Sequence, residues 1–379
     1  MKILVDKKIL LEHIIPAADF ASNKATIAVV EGILFRTKND KEVEICGYDL
    51  EKGYRSVIGC VVEEQGCVSI SAVKLVQVVK TMPDGIIEIK VDEKLKTTVT
   101  AGRSVMEMGA MSGEKYPDFP EFRGQFGFSI KQKDLRDVFT RTMFAMGVNN
   151  MRPELNGLFI KFENGILTAV SCDGNRLSVF ERKITLSGST DDMKFAVILP
   201  TKMIEMVNRY ISESDKELRI NFSLKHVMFM FDTFTVFTRI IDMNYIDYER
   251  FMPKAPKIFV ELSADNFTSS LERAMLITED RQQGQSKPAA ICQFSQGILN
   301  VHAYSIIGKV NDEIPTEHDG DDIEIGFNCR FLYDAMKAVS TERVKLSLTT
   351  PLSGMTIEEI DGGEDRKFVM LILPVRLNK

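Results

Sequence analysis

Three stretches of this chain share one alternation of apolar and polar positions around a short polar turn. The first runs Gly32-Ile33-Leu34-Phe35-Arg36, turns at Lys38-Asn39-Asp40, and returns as Val43-Glu44-Ile45-Cys46-Gly47-Tyr48-Asp49. The second runs Gly157 to Phe162, turns at Glu163-Asn164-Gly165, and returns as Leu167 to Asp173. The third runs Ala290 to Phe294, turns at Ser295-Gln296-Gly297, and returns as Leu299 to Tyr304. A period of two predicts a β-hairpin in each, and Asn-Gly is the strongest of the three turn signals.

Helical periodicity flanks every hairpin. Before them, Lys7–Ala18 aligns Leu10, Leu11, Ile14 and Ala18; Asp134–Met146 aligns Leu135, Val138, Phe139, Thr142, Met143 and Met146; Ser263–Leu276 aligns Phe267, Leu271, Ala274 and Met275. After them, capped helices are predicted to open at Ser71, Pro200-Thr201 and Asn328. Each is followed by a strand: Ile86–Val91, Leu218–Phe222 and Val344–Leu348. The repeat recurs at about 125–130 residues, the size of a domain. The fold expected is α+β: three similar modules, each of two helices packed on antiparallel sheet, over 1–124, 125–254 and 255–379. The breaks fall near Phe122-Arg123-Gly124-Gln125 and in Met252-Pro253-Lys254-Ala255-Pro256-Lys257, whose two prolines suit an extended linker.

Composition narrows the function classes. The 379 residues are 44% hydrophobic and 27% charged, with no apolar run of membrane-spanning length and no signal-peptide core after Met1, which predicts a cytoplasmic protein. The six cysteines (Cys46, Cys60, Cys67, Cys172, Cys292 and Cys329) form no Cys-x-x-Cys pair, so buried thiols are expected instead of a zinc site or disulfides. The chain has no phosphate loop, no His-Glu-x-x-His and no Gly-x-Ser-x-Gly elbow. His13, His226, His302 and His318 are isolated in sequence. A metal-dependent nuclease built on Asp49, Asp173 and Asp247 is the best enzymatic alternative, yet Asp49 and Asp173 occupy equivalent repeat positions, which points to a turn role. The third module has Ser305 there, so no cofactor or metal is implied. A monomeric adaptor of tandem sheet domains is the alternative among binding proteins.

Several stretches, in order along the whole chain, carry a resemblance: Leu155-Asn156-Gly157, Asp173-Gly174-Asn175-Arg176-Leu177, Tyr245-Ile246-Asp247-Tyr248-Glu249-Arg250, Glu324-Ile325-Gly326-Phe327-Asn328 and Leu373-Pro374-Val375-Arg376-Leu377. On the threefold repeat, they make the sequence resemble the beta sliding clamp of bacterial DNA polymerase III. The resemblance implies a homodimer of six modules closed head-to-tail around double-stranded DNA. It further implies sequence-independent processivity without catalysis, and partnership with the replicative polymerase, the clamp loader and other proteins carrying a clamp-binding motif.

A net charge of −6 argues against a conventional DNA binder, but a ring needs cations only on its lining. Diffuse phosphate contact positions a duplex without reading it, which sliding requires. Polar helix faces offer Lys74, Lys80, Arg136, Arg141, Lys202, Arg209, Arg273 and Lys337, and the resemblance adds Lys24 and Arg152 on loops. For ring closure the resemblance matches Met106 and Met108 to Leu276 and Ile277, with Lys74 and Arg103 near Asp312-Glu313. Val105-Met106-Glu107-Met108 suits an edge strand. For a cleft receiving partner peptides with Leu and Phe anchors, it matches Leu155, Gly174, Asn175, Arg176, Leu177, Ile246, Arg250, Phe251, Asn328, Phe331, Leu352, Leu373, Pro374, Val375, Arg376 and Leu377. Cys172 and Asn175 stand where the family often has Thr and His, Ile246 where Pro is frequent and Phe331 where Tyr is frequent; Asn378-Lys379 extend past its usual ending.

Overall fold

The computed structural model describes residues 1–22, 27–119, 126–187, 193–278 and 289–377. Its first stretch holds β1 (Lys2–Asp6), α1 (Lys7–Phe20), β2 (Gly32–Asn39), β3 (Glu42–Tyr48), β4 (Lys52–Gly59), β5 (Val61–Glu64), β6 (Cys67–Ser71), α2 (Ala72–Thr81), β7 (Ile86–Val91), β8 (Lys96–Ala101), β9 (Ser104–Ser112) and β10 (Phe126–Lys131). Next come α3 (Gln132–Thr142), β11 (Gly157–Glu163), β12 (Ile166–Cys172), β13 (Arg176–Lys183), β14 (Phe195–Pro200), α4 (Thr201–Tyr210), β15 (Glu217–Phe222), β16 (His226–Met230) and β17 (Phe234–Arg239). The last stretch has β18 (Ile258–Ser263), α5 (Ala264–Thr278), β19 (Ala290–Ser295), β20 (Ile298–Ser305), β21 (Gly308–Asp319), β22 (Ile323–Phe327), α6 (Cys329–Lys337), β23 (Arg343–Leu348), β24 (Met355–Glu359) and β25 (Arg366–Ile372).

The three predicted hairpins form as β2–β3, β11–β12 and β19–β20. Asn164 and Gly165 both adopt left-handed backbone, φ 54° and 75°, as a two-residue hairpin turn requires. All six predicted helices form. Capping is less uniform than the sequence suggests. Asn328 accepts from the Arg330 and Phe331 amides, whereas Ser71 and Pro200 cap without a side-chain bond. Helix α3 also stops at Thr142 and continues as a 3-10 turn over Met143–Ala145, short of the expected Met146.

Packing divides the described residues into two units that cut across the sequence modules. One is Met1–Ile130 with Glu217–Ile240; the other is Lys131–Lys216 with Ile241–Lys379. The first is built on a 13-stranded antiparallel sheet, in which β17 pairs with β4. The second is built on a 12-stranded antiparallel sheet, in which β13 pairs with β25. Each helix lays its apolar stripe on its own unit's sheet, with α1 burying Leu10, Ile14, Ala17 and Phe20 and α3 burying Leu135, Val138 and Phe139. Sequence periodicity shows these strands but not the pairing of β4 with β17, because pairing partners distant in sequence leave no local pattern.

The repeat extends to fine detail. Asp49 Oδ1 accepts from the Glu51 and Lys52 amides at the β3–β4 turn; Asp173 Oδ1 accepts from the Asn175 and Arg176 amides at the β12–β13 turn. Both carboxylates are spent on Asx turns, the role their equivalent spacing predicts. Among the described residues no cluster of three or more His, Cys, Asp or Glu side chains could hold a metal ion. Cys46, Cys292 and Cys329 are buried; Cys60, Cys67 and Cys172 are only partly so, and burial pushes the Cys60 thiol up to about 11. No described helix is long and apolar enough to cross a membrane.

Candidate binding surfaces

The expected cleft residues all lie in the second unit, and the local folding that places them is visible bond by bond. Gly174 sits at φ 95° in the β12–β13 turn, a conformation only glycine adopts without strain. Next to it the Arg176 guanidinium is held by Asp173 at 3.0 Å and Asp334 of α6 at 2.9 Å. The same group lies over the rings of Phe331, 4.4 Å to the centroid, and Phe144, 5.5 Å. Arg176 is thereby fixed by two carboxylates and two aromatic faces, a rigid planar donor beside the Gly174 turn.

Leu155 and Leu177 are buried, and Leu177 lies directly across from Leu371 on β25. The loop carrying Leu155 is tied to the Gly174 turn through Asn150, whose Nδ2 donates to the Asp173 carbonyl at 3.0 Å and whose amide donates to Asn156 at 2.7 Å. The C-terminal segment is anchored at two points: the Leu373 amide donates to the Asn175 carbonyl, and the Val375 amide to the Gly326 carbonyl. Leu377 packs against Gly326, where any side chain on residue 326 would collide with it. Exposed in the same unit are the large apolar side chains of Phe251, Leu352, Leu373 and Val375. Ile246 and Pro374 are half-buried, Arg376 is exposed, and exposed Arg250 pairs with Asp247 at 2.6 Å.

The helix cations divide into two groups. Lys74, Lys80, Lys202, Arg209 and Lys337 are exposed on the polar faces of α2, α4 and α6. Arg136 donates to the Ile211 carbonyl and pairs with Glu213, Arg152 pairs with Glu154 at 2.8 Å, and Arg273 pairs with Asp312 at 2.8 Å. Arg141 corrects the expectation: its side chain is 2% exposed, so it offers nothing to DNA. It binds Glu359 and Asp137 and lies between the Phe180 and Phe368 rings. Helical spacing alone misses this, because the position is polar by residue type but faces the sheet. Lys24, like Asn378 and Lys379, lies outside the described residues.

The expected interface residues occupy two strand edges and one helix end. On β9, Ser104–Gly109 pairs with β8 only, so its other edge is uncovered among the described residues. On β21, residues 308–315 pair with β20 only, and are likewise open on the other side. Arg103, Met106 and Glu313 are exposed, Met108 and Ile277 partly so, and Leu276 is 72% exposed. The sequence reading missed Ile306 and Ile307, both exposed in the β20–β21 turn beside Gly308, which the Ile277 side chain approaches. Two consecutive isoleucines in a turn contradict ordinary turn chemistry, and that was the available signal.

Comparison with known proteins accounts for this arrangement. Models of the DNA polymerase III beta subunit match residues 1–120 as its N-terminal domain, 129–247 as its central domain and 249–376 as its C-terminal domain. The chain belongs to the DNA polymerase III beta subunit family. The beta sliding clamp of Halalkalibacterium halodurans is 26% identical over 388 residues, covering 99% of this chain and 100% of the relative. The crystal structure of the DNA polymerase III subunit beta from Pseudomonas aeruginosa is 27% identical, covers 100% of both chains and has a TM-score of 0.85. The Bacillus subtilis sliding clamp structure, at 23% identity and full coverage of both chains, shares the fold with a TM-score of 0.90. Like other beta subunits, this family member is a DNA sliding clamp, a processivity factor and not an enzyme.

Proposed function

We propose that two copies of this chain, each read as modules 1–124, 125–254 and 255–379, close head-to-tail into a ring of six modules around duplex DNA. The ring holds the replicative polymerase on its template by topology and works in the cytoplasm. The observation that carries this reading is the pair of uncovered strand edges. β9 and β21 each present a row of unpaired backbone groups, and antiparallel pairing between two chains satisfies both. Two such joints per dimer close the assembly, as a head-to-tail interface must if it is not to form filaments. Exposed Met106 on one side and Leu276, Ile306 and Ile307 on the other supply the apolar surface to be buried.

The exposed cations of α2, α4 and α6 supply diffuse phosphate contact, with Lys24 and Arg152 as loop contributions. The floor at Leu177 and Leu371, with its exposed rim, receives a peptide with Leu and Phe anchors, oriented by Arg176. Polymerase, clamp loader and other motif-bearing partners compete for it.

The test is retention. Loaded onto nicked circular DNA, the protein should co-elute with it through gel filtration at high salt and be released when the circle is linearised. A monomeric mass by light scattering at micromolar concentration, or equal retention on linear DNA, would reject the ring.

A further inference from the structure

The floor proposed for the peptide anchors does not end at Leu177 and Leu371. Two residues further along the same strands, on the same sheet face, Val179 stands across from Val369 as Leu177 stands across from Leu371. Leu177, Val179 and Leu371 belong to one apolar cluster, with Tyr248 and Met252 packed against it. Val179, Val369, Tyr248 and Met252 also line a cavity of about 300 Å³.

The cavity combines three kinds of surface. Val179, Val369, Met252 and Pro256 make an apolar wall. Ser347 and Thr356, opposite one another on β23 and β24, are 4% and 7% exposed and line the cavity too. Neither side-chain hydroxyl makes a hydrogen bond among the described residues. A hydroxyl held so far from water without a partner is costly, and a donor entering the cavity removes that cost. Glu181, Glu249 and Glu358 add three carboxylates, none in an ion pair among the described residues. Lys367, across from Glu181, is the only cation lining the cavity among the described residues, so three carboxylates against one ammonium leave an excess of two negative charges. Lys345, across from Glu358, is turned over the Phe259 ring at 4.6 Å. Tyr248 registers the excess: burial first, then the Glu249 and Glu181 charges, hold its phenol above the ordinary value.

We propose that the peptide groove continues into this cavity, which takes a lysine or arginine side chain flanking the Leu and Phe anchors of a partner's peptide. The inference rests on the proposed anchor cleft. A basic side chain matches all three surfaces. Its methylene stem lies on the apolar wall, its head carries only donors, which the hydroxyls and carboxylates accept, and its charge offsets theirs. An acidic side chain meets like charge there, and an apolar one leaves the hydroxyls unpaired. Two residues of strand cover about 7 Å, so anchor and cation belong to one short extended segment.

Competition fluorescence anisotropy on the full chain tests this, using an anchor peptide with lysine, norleucine or glutamate placed two residues beyond either end of the anchors. At one end lysine should bind about tenfold tighter than norleucine, and glutamate more weakly than both. Glu181→Gln with Glu358→Gln should bring the lysine-to-norleucine ratio close to one. Thr356→Val changes no charge and should lower that ratio about threefold, which a general attraction of cations to an acidic protein would not do. Equal binding of the lysine and norleucine peptides at both ends, or a ratio unchanged in both variants, would overturn the basic pocket and leave the anchor cleft standing. Failure of every anchor peptide to bind would reject the cleft, and this inference with it.

Discussion

Arg141 Nη1 lies 2.8 Å from Glu359 Oε1, with both side chains almost wholly buried. The pair joins α3 to the end of β24, and Ser340 donates to the same carboxylate while receiving a bond from Arg141. Removing Arg141 leaves the buried Glu359 carboxylate with only Arg366 at 3.6 Å and Ser340, which costs up to about 3–5 kcal/mol, whereas replacing both by apolar residues is often neutral. Arg141→Met should therefore accelerate amide exchange across β13 and β25, and Arg141→Met with Glu359→Met should recover most of that loss. Exchange in β4 and β17 serves as the internal control and should stay unchanged.

How much of this was legible in advance follows from the range of each signal. The hairpin at Asn164-Gly165, the helix cap at Asn328 and the turn carboxylates Asp49 and Asp173 are local, and their chemistry stands in adjacent residues. The proposed cleft rests on resemblance alone, because Leu155, Leu177 and Leu373 look like any core leucine when read one at a time. Arg141 was misread because its partner Glu359 is more than two hundred residues away. The pairing of β17 with β4 escaped for the same reason.

In the proposed peptide site Arg176 acts as a positioning group. Arg176→Lys keeps the charge but loses the planar contacts to Phe331 and Phe144 and the simultaneous reach to Asp173 and Asp334. Peptide affinity, read by fluorescence anisotropy with a labelled Leu/Phe-anchor peptide, should fall about tenfold, as expected for the loss of an orienting hot-spot group. Phe251→Ala should weaken binding comparably without altering thermal stability, since that side chain is already more than half exposed.

Ring closure makes a separate prediction at the apolar patch. Leu276 and Ile306 are each 72% exposed in the single chain, so a charge there costs the folded monomer little. Leu276→Asp or Ile306→Asp should leave the circular dichroism spectrum unchanged and move the mass from dimer to monomer in sedimentation equilibrium. Leu224→Asp, equally exposed but on the β15–β16 turn, should leave the dimer intact.

Acid should weaken the first unit through the buried His13 and the half-buried His226. Burial lowers the pKa of both His13 and His226 below the ordinary value. A histidine neutral in the fold contributes fully above its unfolded pKa, about 6.5, and that contribution is lost as pH falls below it because the unfolded chain then binds the extra proton. Thermal midpoints measured from pH 7.5 down to 5 should fall for the native sequence and fall less steeply for His13→Gln. An equal slope in the two would show that His13 is not among the groups responsible.

The charge prediction turns on number and not on any one residue. A phosphate contact neutralised by one cation steepens the dependence of log K on log salt by about 0.9. Lys202→Gln and Arg209→Gln together, on the exposed face of α4, should reduce the slope for retention on short linear duplexes by up to about two units. They should do so alike for duplexes of unrelated sequence, since no base edge is read. Arg141→Gln should leave the slope untouched, because that guanidinium is already committed to Glu359 and Asp137. If sequence preference appeared, or if only one cation carried the whole effect, contact would be local and adhesive, and a protein that grips in that way does not slide.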